Sequence, residues 1–354
     1  MNSRQKLRIM HVLKSSVYSG AENVVITIIR SLSEQFDFIY VATDGPIREV
    51  LERENIPFQL LPVFDRKNLY GAIAARHPDI VHAHDFSATV LCASIRGGFR
   101  LISQLHYDPP WVRKWNVKTI MYRLCRPKID RVLTVSGKSF ENMVFAPCYR
   151  EKMTVVGNPI DSDRIQRLAR EIPPELGDGT CDLIFVGRLV EQKNPQQFIR
   201  LVSALKTKMP DIKAWMLGSG ELDHDCEALI EELGLERNVE LKGFCSNPYP
   251  YISRARLLCM TSRWEGFGLV LLEANILGIP VLSTRTAGAE EVLGENAAEL
   301  CGGEGEMGEK ANDILRNANI HEMYAEKARM RAEAISTMED YMNNIKRIYE
   351  EEAK

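Results

Sequence analysis

Short apolar runs alternate with helix-length segments along almost the whole chain, and the alternation starts afresh near the middle. The first run, 7–13, ends in a glycine-containing turn, after which 21–32 has apolar residues at helical spacing. Further runs follow at 38–42, 58–61, 80–83, 101–104 and 132–135. Strands that alternate with helices favour a parallel sheet covered on both faces, so the first half is predicted to be a doubly wound α/β domain.

The same pattern restarts after a Pro/Gly-rich stretch at 171–179, and we predict a linker near 165–180. The new runs are 182–186, 214–217, 239–241, 257–260 and 281–282. A chain of 354 residues is long enough for two domains. We therefore predict an N-terminal domain at 1–170 and a C-terminal domain at 171–335. The tail, 336–354, is predicted to be a helix that packs back on the first domain.

Composition excludes several classes of protein. The formal net charge is −3, which gives no reason to expect general nucleic-acid binding. The eight cysteines are scattered without a C-x-x-C pair, so they are predicted to be reduced structural thiols rather than zinc ligands or a disulfide framework. No apolar run approaches about 18 residues, and the start lacks the apolar stretch of a signal peptide. We therefore expect a cytoplasmic protein.

The strongest chemical signal follows the run 257–260. A polar turn containing Glu265 and two glycines leads into an apolar helix that contains Glu273. The first turn of that helix leaves backbone N–H groups unpaired, and its dipole favours phosphate oxygens. The predicted ligand-binding residues of this segment are Gly266, Phe267, Gly268, Leu269 and Val270. Both carboxylates suit hydroxyl groups better than phosphate, because like charges repel. The alternative is a pair of solvated surface acids.

Two basic residues form a second signal. Arg188 and Lys193 follow the strand 182–186, where a bidentate guanidinium and a compact ammonium would meet a diphosphate at the end of a parallel strand. Gly187 precedes them. After the next strand, Gly218 and Gly220 would let a base or ribose approach the backbone. Two tandem open sheets bind ligands beyond the carboxyl ends of their strands, so we expect the active site in a cleft between the domains.

Together these segments resemble the retaining glycosyltransferases of family 4. Glu265 and Glu273 match the E-x7-E signature, and the segment 185–195 is similar to the family's G-R-L…K-G motif, with Asn194 in place of the usual glycine. The segments around Gly20, Gly218, Phe244 and 287–291 resemble other parts of the family pattern. The resemblance spans nearly the whole chain. It implies the GT-B fold, two Rossmann-like domains facing a central cleft.

The resemblance also implies roles for single residues. Arg188 and Lys193 would hold the donor diphosphate, Glu265 the hydroxyls of the donor sugar, and Glu273 the ribose, with Phe244 in the donor site. His106, after the strand 101–104, occupies the position of a family histidine near the donor sugar, and is predicted to bond a sugar hydroxyl. The donor would be a nucleoside diphosphate sugar, expected to be UDP-linked, and it would be a substrate rather than a cofactor. No metal and no cofactor are implied.

Several residues keep two interpretations. Gly20 would let the backbone approach the donor, or is part of a plain tight turn in the loop 19–21. His84 and Asp85 would support the acceptor side, whereas His11 is expected to be a core residue. The sequence 223–225 resembles a metal-binding D-x-D motif, but acids at the start of a helix also complement its dipole, which is the interpretation we favour.

The segment 111–131 carries a local excess of positive charge. Residues 111–131 contain seven basic residues and one acid, mixed with aromatic and aliphatic side chains. Such a segment suits an anionic membrane surface, so we predict peripheral contact with the inner face of a membrane that carries the acceptor. The alternative is an exposed helix whose apolar stripe faces the core.

The predicted function is transfer of a sugar, with retention of configuration and without a metal, from the donor to an acceptor hydroxyl. The acceptor would be a glycan or a lipid-linked molecule, in polysaccharide or glycolipid assembly. One alternative is a nucleotide-sugar epimerase or hydrolase of the same fold. The other is a non-catalytic subunit that binds a nucleotide sugar. No motif specifies an oligomeric state.

Overall fold

A computed structural model describes residues 6–18, 20–106, 109–334 and 337–354. The chain divides into two compact units. The first contains the described residues up to Pro159 together with 337–354, and the second contains Ile160 to 334. Each unit is built on a parallel sheet, so the prediction of two Rossmann-like α/β domains is confirmed.

The first unit has a seven-stranded sheet in the order β3-β2-β1-β4-β5-β6-β7. Its strands are β1 Arg8–Val12, β2 Asp37–Thr43, β3 Phe58–Leu61, β4 Ile80–His84, β5 Arg100–Leu105, β6 Arg131–Thr134 and β7 Met153–Val155. Its helices up to Pro159 are α1 Gly20–Leu32, α2 Ile47–Arg53, α3 Arg66–Arg76, α4 Asp85–Ala93, α5 Val117–Leu124 and α6 Gly137–Glu141. Met10 and Val12 lie in one apolar cluster and Ile9 and Leu13 in another, as the alternating side chains of a strand require.

The second unit has a six-stranded sheet in the order β10-β9-β8-β11-β12-β13. Its strands are β8 Cys181–Val186, β9 Ala214–Leu217, β10 Val239–Gly243, β11 Ala255–Met260, β12 Val281–Thr284 and β13 Leu300–Cys301. Its helices are α7 Ser162–Leu168, α8 Pro195–Lys206, α9 Asp223–Glu232, α10 Tyr249–Ile252, α11 Leu269–Ile276, α12 Ala287–Leu293, α13 Glu304–Arg316 and α14 Ala318–Glu333. Among the described residues, no helix combines the length and the apolar character needed to cross a bilayer.

The tail forms a last helix, α15 Met338–Glu352, that belongs to the first unit. Thr337 caps its N-terminus in a capping box with Asp340. Ile345, Ile348 and Tyr349 are fully buried in the same apolar cluster as helix α1. The charged residues of this tail therefore lie on the outer face of a helix whose other face completes the core of the first unit.

The division between the units falls at 159/160, eleven residues before the expected boundary at 170. The stretch expected to be a linker, 165–180, begins within helix α7, which packs on helix α11 of the second unit. Ile160 and Ile165 form a small apolar cluster with Leu272 and Ile276 of helix α11. Two isolated isoleucines in a polar stretch carry little periodic signal, so the sequence did not predict this packing.

Candidate functional site

The loops after strands β8 and β11 are bonded to each other. These two strands are neighbours in the sheet, so their carboxyl ends lie side by side. The backbone N–H of Arg263 donates to the carbonyl of Gln192 over 2.8 Å, and the amide side chain of Gln192 donates to the carbonyl of Trp264. Thr261 Oγ1 donates to the carbonyl of Asn194 over 3.0 Å. The predicted diphosphate loop and the E-x7-E loop therefore form one surface.

An ion pair between Lys193 and Glu265 lies at the centre of this surface. The Lys193 ammonium donates to both carboxylate oxygens, and the bond to Oε2 measures 2.8 Å. Glu265 is only 8% exposed. Charges with so little solvent need compensation, so each partner stabilises the other's charge at this position. The sequence had assigned the two residues to different parts of the ligand and did not foresee that they pair.

Arg188, in the same loop as Lys193, is exposed. Its guanidinium makes no hydrogen bond or ion pair with any residue in the described parts of the chain. Its own loop is held by the backbone, because Val190 N–H donates to the carbonyl of Arg188. The side chain is therefore available to an anionic ligand.

Helix α11 begins at this surface with Gly268 as its N-cap, at φ 70°. A left-handed residue at this position favours glycine. The first-turn amides at Leu269 and Val270 have no acceptor within the helix, and the helix dipole makes this end attractive to anions. Asn194, the N-cap of α8, also has a left-handed backbone, at φ 51°. Asparagine tolerates that conformation, which explains how it replaces the family glycine.

Glu273 lies one turn inside α11 and is half-buried. Its Oε1 accepts a hydrogen bond of 3.2 Å from the hydroxyl of Tyr249. Burial raises the pKa of Glu273 to about 7, although the Tyr249 hydroxyl and the Lys193 ammonium both act to lower it. The carboxyl group therefore changes charge near neutral pH. Nothing in the sequence around Tyr249 had indicated its contact with Glu273.

The glycine loop after β9 packs against the loop after β8. A Cβ on Gly218 would lie 1.9 Å from the carbonyl oxygen of Gly187. Gly218 has φ 137°, so close approach and backbone conformation both require glycine there. The N–H of Gly220 donates to Asp223 over 2.7 Å, so this acid of the D-x-D-like sequence bonds the backbone. Phe244, after β10, has a 78% exposed ring.

His106 and Gly20 belong to the first unit, so they are not part of this surface. His106 follows β5 and is half-buried. Burial lowers the pKa of His106 to about 4, so its imidazole is neutral at pH 7. Its Nε2 lies 2.9 Å from Nδ1 of His84. Gly20 is the first residue of α1. Ser19, next to Gly20 in the chain, and Tyr107 and Asp108, next to His106, lie outside the described residues.

Helix α5 exposes the apolar side of the basic segment 111–131. Within α5 only Thr119 and Tyr122 are buried, whereas Val117 and Leu124 are 74% and 68% exposed. Val112, Tyr122 and Ile129 of the segment are fully buried in the core of the first unit, so core-facing apolar residues, the expected alternative, are present beside the exposed ones. Arg131 is bound to Glu352 of α15 over 2.6 Å and is not part of the exposed face.

A cavity of about 960 Å³ lies within the first unit, beyond the carboxyl ends of β1 and β4. Its lining combines polar and apolar side chains, among them Lys14, Asp85, Trp111, Lys118 and Met121. Burial raises the pKa of the Asp85 carboxyl. The carboxylate accepts hydrogen bonds from the backbone N–H groups of Ala88 and Ser87, and these act to lower the pKa. Lys118 and Met121 belong to α5, so the cavity adjoins its exposed face.

Two family profiles match most of the chain. The profile described as Glycosyltransferase Family 4 matches residues 18–164, and that described as Glycosyl transferases group 1 matches residues 166–331. One relative is the N-acetylgalactosamine-N,N'-diacetylbacillosaminyl-diphospho-undecaprenol 4-alpha-N-acetylgalactosaminyltransferase of Campylobacter jejuni, 32% identical over 226 residues. That match covers 62% of this chain and 60% of the relative.

A second relative and a solved structure extend the likeness over more of the chain. The UDP-Gal:alpha-D-GlcNAc-diphosphoundecaprenol alpha-1,3-galactosyltransferase of Escherichia coli is 24% identical and covers 81% of each chain. Anabaena HepE, solved in complex with UDP, superposes with a TM-score of 0.85 at 20% identity, covering 98% of this chain and all of that one. This structural likeness bears on the fold, and it confirms the predicted GT-B fold.

The packing of the glycine loop generates a first prediction. Gly234→Ala introduces a side chain at φ 63° into open space, and is expected to cost about 1 kcal/mol for the left-handed backbone. Gly218→Ala adds a clash with a carbonyl oxygen and is expected to cost about 2 kcal/mol more. Urea unfolding of both variants measures the difference. Equal destabilisation would show that the close approach to Gly187 has no energetic consequence.

Proposed function

Because the chain belongs to the glycosyltransferases of family 4, with a family 4 domain followed by a group 1 domain as its motifs indicated, we propose that it transfers a sugar from a nucleoside diphosphate donor to an acceptor hydroxyl. The observation that carries the proposal is the joined surface of the second unit. There the Lys193–Glu265 pair, the N-terminal end of α11 and Arg188, which has no partner among the described residues, follow adjacent strands.

The donor diphosphate is held by charge and by backbone amides. Arg188 supplies a bidentate cation. Lys193 adds a second positive charge, with Glu265 orienting its ammonium. The amides of Leu269 and Val270 donate to the phosphate oxygens. Since these groups meet the charge that grows on the leaving diphosphate, the proposed reaction needs no metal ion.

The nucleoside lies along the same surface. Glu273, as a carboxylate, accepts hydrogen bonds from the ribose hydroxyls. Phe244 offers an exposed ring for stacking with the base. Uracil is the proposed base, which agrees with the UDP bound to Anabaena HepE. Gly218 and Gly220 pack against the carbonyls of Gly187 and Leu189, which fixes the loop that the nucleoside is proposed to approach.

Transfer is proposed to proceed with retention of configuration. The bond between the anomeric carbon and the β-phosphate oxygen breaks, and its electron pair goes to the diphosphate. The acceptor oxygen then bonds the short-lived oxocarbenium-like carbon from the same face, and its proton passes to the departing phosphate. Glu265 holds hydroxyls of the donor sugar. Its contribution is to bind the sugar more tightly as the charge separates.

The acceptor is proposed to be a lipid-linked glycan bound by the first unit. The Campylobacter and Escherichia relatives are named for diphosphoundecaprenol-linked acceptors. In this chain the cavity of about 960 Å³ offers Trp111 for a sugar ring, Asp85 for hydroxyls, and Lys14 and Lys118 for phosphate. The exposed face of α5 beside it would contact the membrane from which the lipid projects.

Nucleotide binding tests the proposed function directly. We expect UDP and UDP-sugars to raise the melting temperature of the protein, because they bind only the folded state. Transfer to a lipid-linked acceptor should persist in EDTA. Arg188→Ala is expected to weaken UDP binding by roughly tenfold or more, because the charged hydrogen bonds between the guanidinium and the diphosphate are lost. The matched control is Arg263→Ala, which removes an exposed arginine paired with Glu191 in the adjacent loop.

Each outcome of this test separates the candidates. Equal weakening by the two arginine variants would contradict the proposed diphosphate site. Consumption of the donor at the same rate with and without acceptor would identify a hydrolase. UDP binding without turnover on any acceptor would identify a non-catalytic subunit.

The pKa of Glu273 generates a prediction of pH dependence. Its carboxyl is mostly protonated at pH 6 and mostly ionised at pH 8, since its pKa is about 7. The carboxylate is the better acceptor for ribose, so UDP affinity should rise by up to about tenfold between these pH values. The phosphate of UDP also titrates, near pH 6. Calorimetric titration of Glu273→Gln isolates that contribution, and an unchanged pH dependence in this variant would rule out the ribose role.

Vesicle sedimentation tests the proposed membrane contact. Replacing Lys114, Lys118 and Arg123 with alanine should weaken binding to anionic vesicles by roughly a hundredfold, at about 1 kcal/mol per basic residue. The control variant replaces three exposed arginines of α1, α2 and α3 instead, Arg30, Arg53 and Arg76. If both triple variants sediment like the unaltered protein, the contact does not involve α5.

A further inference from the structure

The backbone around Tyr249, the first residue of the short helix α10, is anchored on both sides. Pro248 and Pro250 flank Tyr249, and each proline ring fixes its own φ angle. Just before them, the side-chain amide of Asn247 donates to the carbonyl of Leu168, the last residue of α7, over 3.0 Å. The position from which the Tyr249 side chain leaves the backbone is therefore well defined.

The aromatic ring of Tyr249 packs where helices α7 and α11 meet. It is half-buried and lies against the apolar cluster formed by Ile160, Ile165, Leu272 and Ile276. Closely packed side chains keep one arrangement, because a different rotamer would leave a gap and create clashes. The hydroxyl at the tip of the ring therefore has a fixed place in the second unit.

That hydroxyl donates to one carboxylate oxygen of Glu273, Oε1, over 3.2 Å. The other oxygen, Oε2, makes no hydrogen bond to any residue in the part of the chain that the structure describes. An ionised carboxylate accepts hydrogen bonds at both oxygens, so Oε2 can accept from a ligand. Because the two oxygens belong to one planar group, a bond that fixes Oε1 also restricts the direction of Oε2.

Glu273 lies on α11 where the sugar of a nucleotide would follow its phosphates. It comes four residues after Leu269, the first residue of the helix, so the two share one face and are about 6 Å apart along the axis. Helical side chains lean towards the N-terminus, which brings the carboxyl closer to the first-turn amides. A diphosphate bound at those amides would place the hydroxyls of its ribose beside Oε2.

The hydroxyl of Tyr249 also favours the charged form of Glu273. Burial raises the pKa of Glu273 to about 7, whereas the Tyr249 hydroxyl and the Lys193 ammonium act to lower it. A charged acceptor makes the stronger hydrogen bond to a ribose hydroxyl. Tyr249 therefore supports both the direction and the charge of the accepting oxygen.

We propose that Tyr249 is a positioning residue, which turns the second oxygen of Glu273 towards the ribose hydroxyls of the donor and so selects ribonucleotides. The inference rests on the proposed function, in which Glu273 binds the ribose. Tyr249 touches no reacting atom and acts through Glu273. A nucleotide without ribose hydroxyls leaves the half-buried carboxylate without its donors, and that loss is the origin of the selectivity.

Calorimetric titration with two nucleotides tests this role. UDP carries both ribose hydroxyls, whereas dideoxy-UDP lacks both, and we expect the unaltered protein to bind UDP at least roughly tenfold more tightly. Tyr249→Phe keeps the packed ring and removes only the hydroxyl. It should weaken UDP binding by roughly fivefold and dideoxy-UDP binding by less than roughly twofold.

The matched control is Tyr251→Phe. It removes a hydroxyl from the same helix, one that interacts with Glu175. Because this hydroxyl does not hold Glu273, the control should change the affinity for either nucleotide by less than roughly twofold. Binding of dideoxy-UDP by Tyr249→Phe shows in the same experiment that the variant is folded.

A Glu273→Ala background separates positioning from packing. There the carboxylate is gone, so adding Tyr249→Phe should change UDP affinity by less than roughly twofold. The inference is overturned if the loss persists in this background, if Tyr249→Phe weakens both nucleotides equally, or if it leaves UDP binding unchanged. Equal binding of the two nucleotides by the unaltered protein would remove the ribose role of Glu273, and with it this inference. If the unaltered protein binds neither nucleotide, it is the proposed function that fails.

Discussion

The ion pair between Lys193 and Glu265 is the interaction on which the surface of the second unit depends. It joins the loops that follow the neighbouring strands β8 and β11, and it does so with little access to solvent. A buried charge without its partner is costly, so each residue fixes the other's position. The consequence is an ordered pair in the same joined loops as the exposed Arg188, which is the arrangement we expect for recognition of a diphosphate.

The first unit depends on a different constraint, the return of the chain after the second unit. Helix α15 completes the apolar core around α1 and brings Tyr349 among the histidines of β1 and β4. The tail helix therefore contacts side chains of the central strands β1 and β4. Tyr349 contacts His11, His11 bonds His84, and His84 bonds His106, so a residue of the last helix is linked to a histidine that follows β5.

The sequence predicts strands better than contacts between loops. The runs 58–61 and 214–217 coincide with β3 and β9 end to end, because each is a short apolar segment with clear flanks. The two-residue strand β13 has too little pattern to detect. The pairing of Lys193 with Glu265 was missed, since 72 residues separate them and either is an ordinary surface charge by type. The sequence does contain a signal for the contact between two histidines of the first unit. His82 and His84 alternate along a buried strand, which places both side chains on one face of the sheet.

A crystal structure with UDP bound tests the central claim most directly. The account predicts that the diphosphate contacts Arg188 and Lys193 and lies against the N-terminal end of α11, while the ribose reaches Glu273. A nucleotide bound away from the joined loops of β8 and β11, with the Lys193–Glu265 pair untouched by any phosphate oxygen, would contradict it.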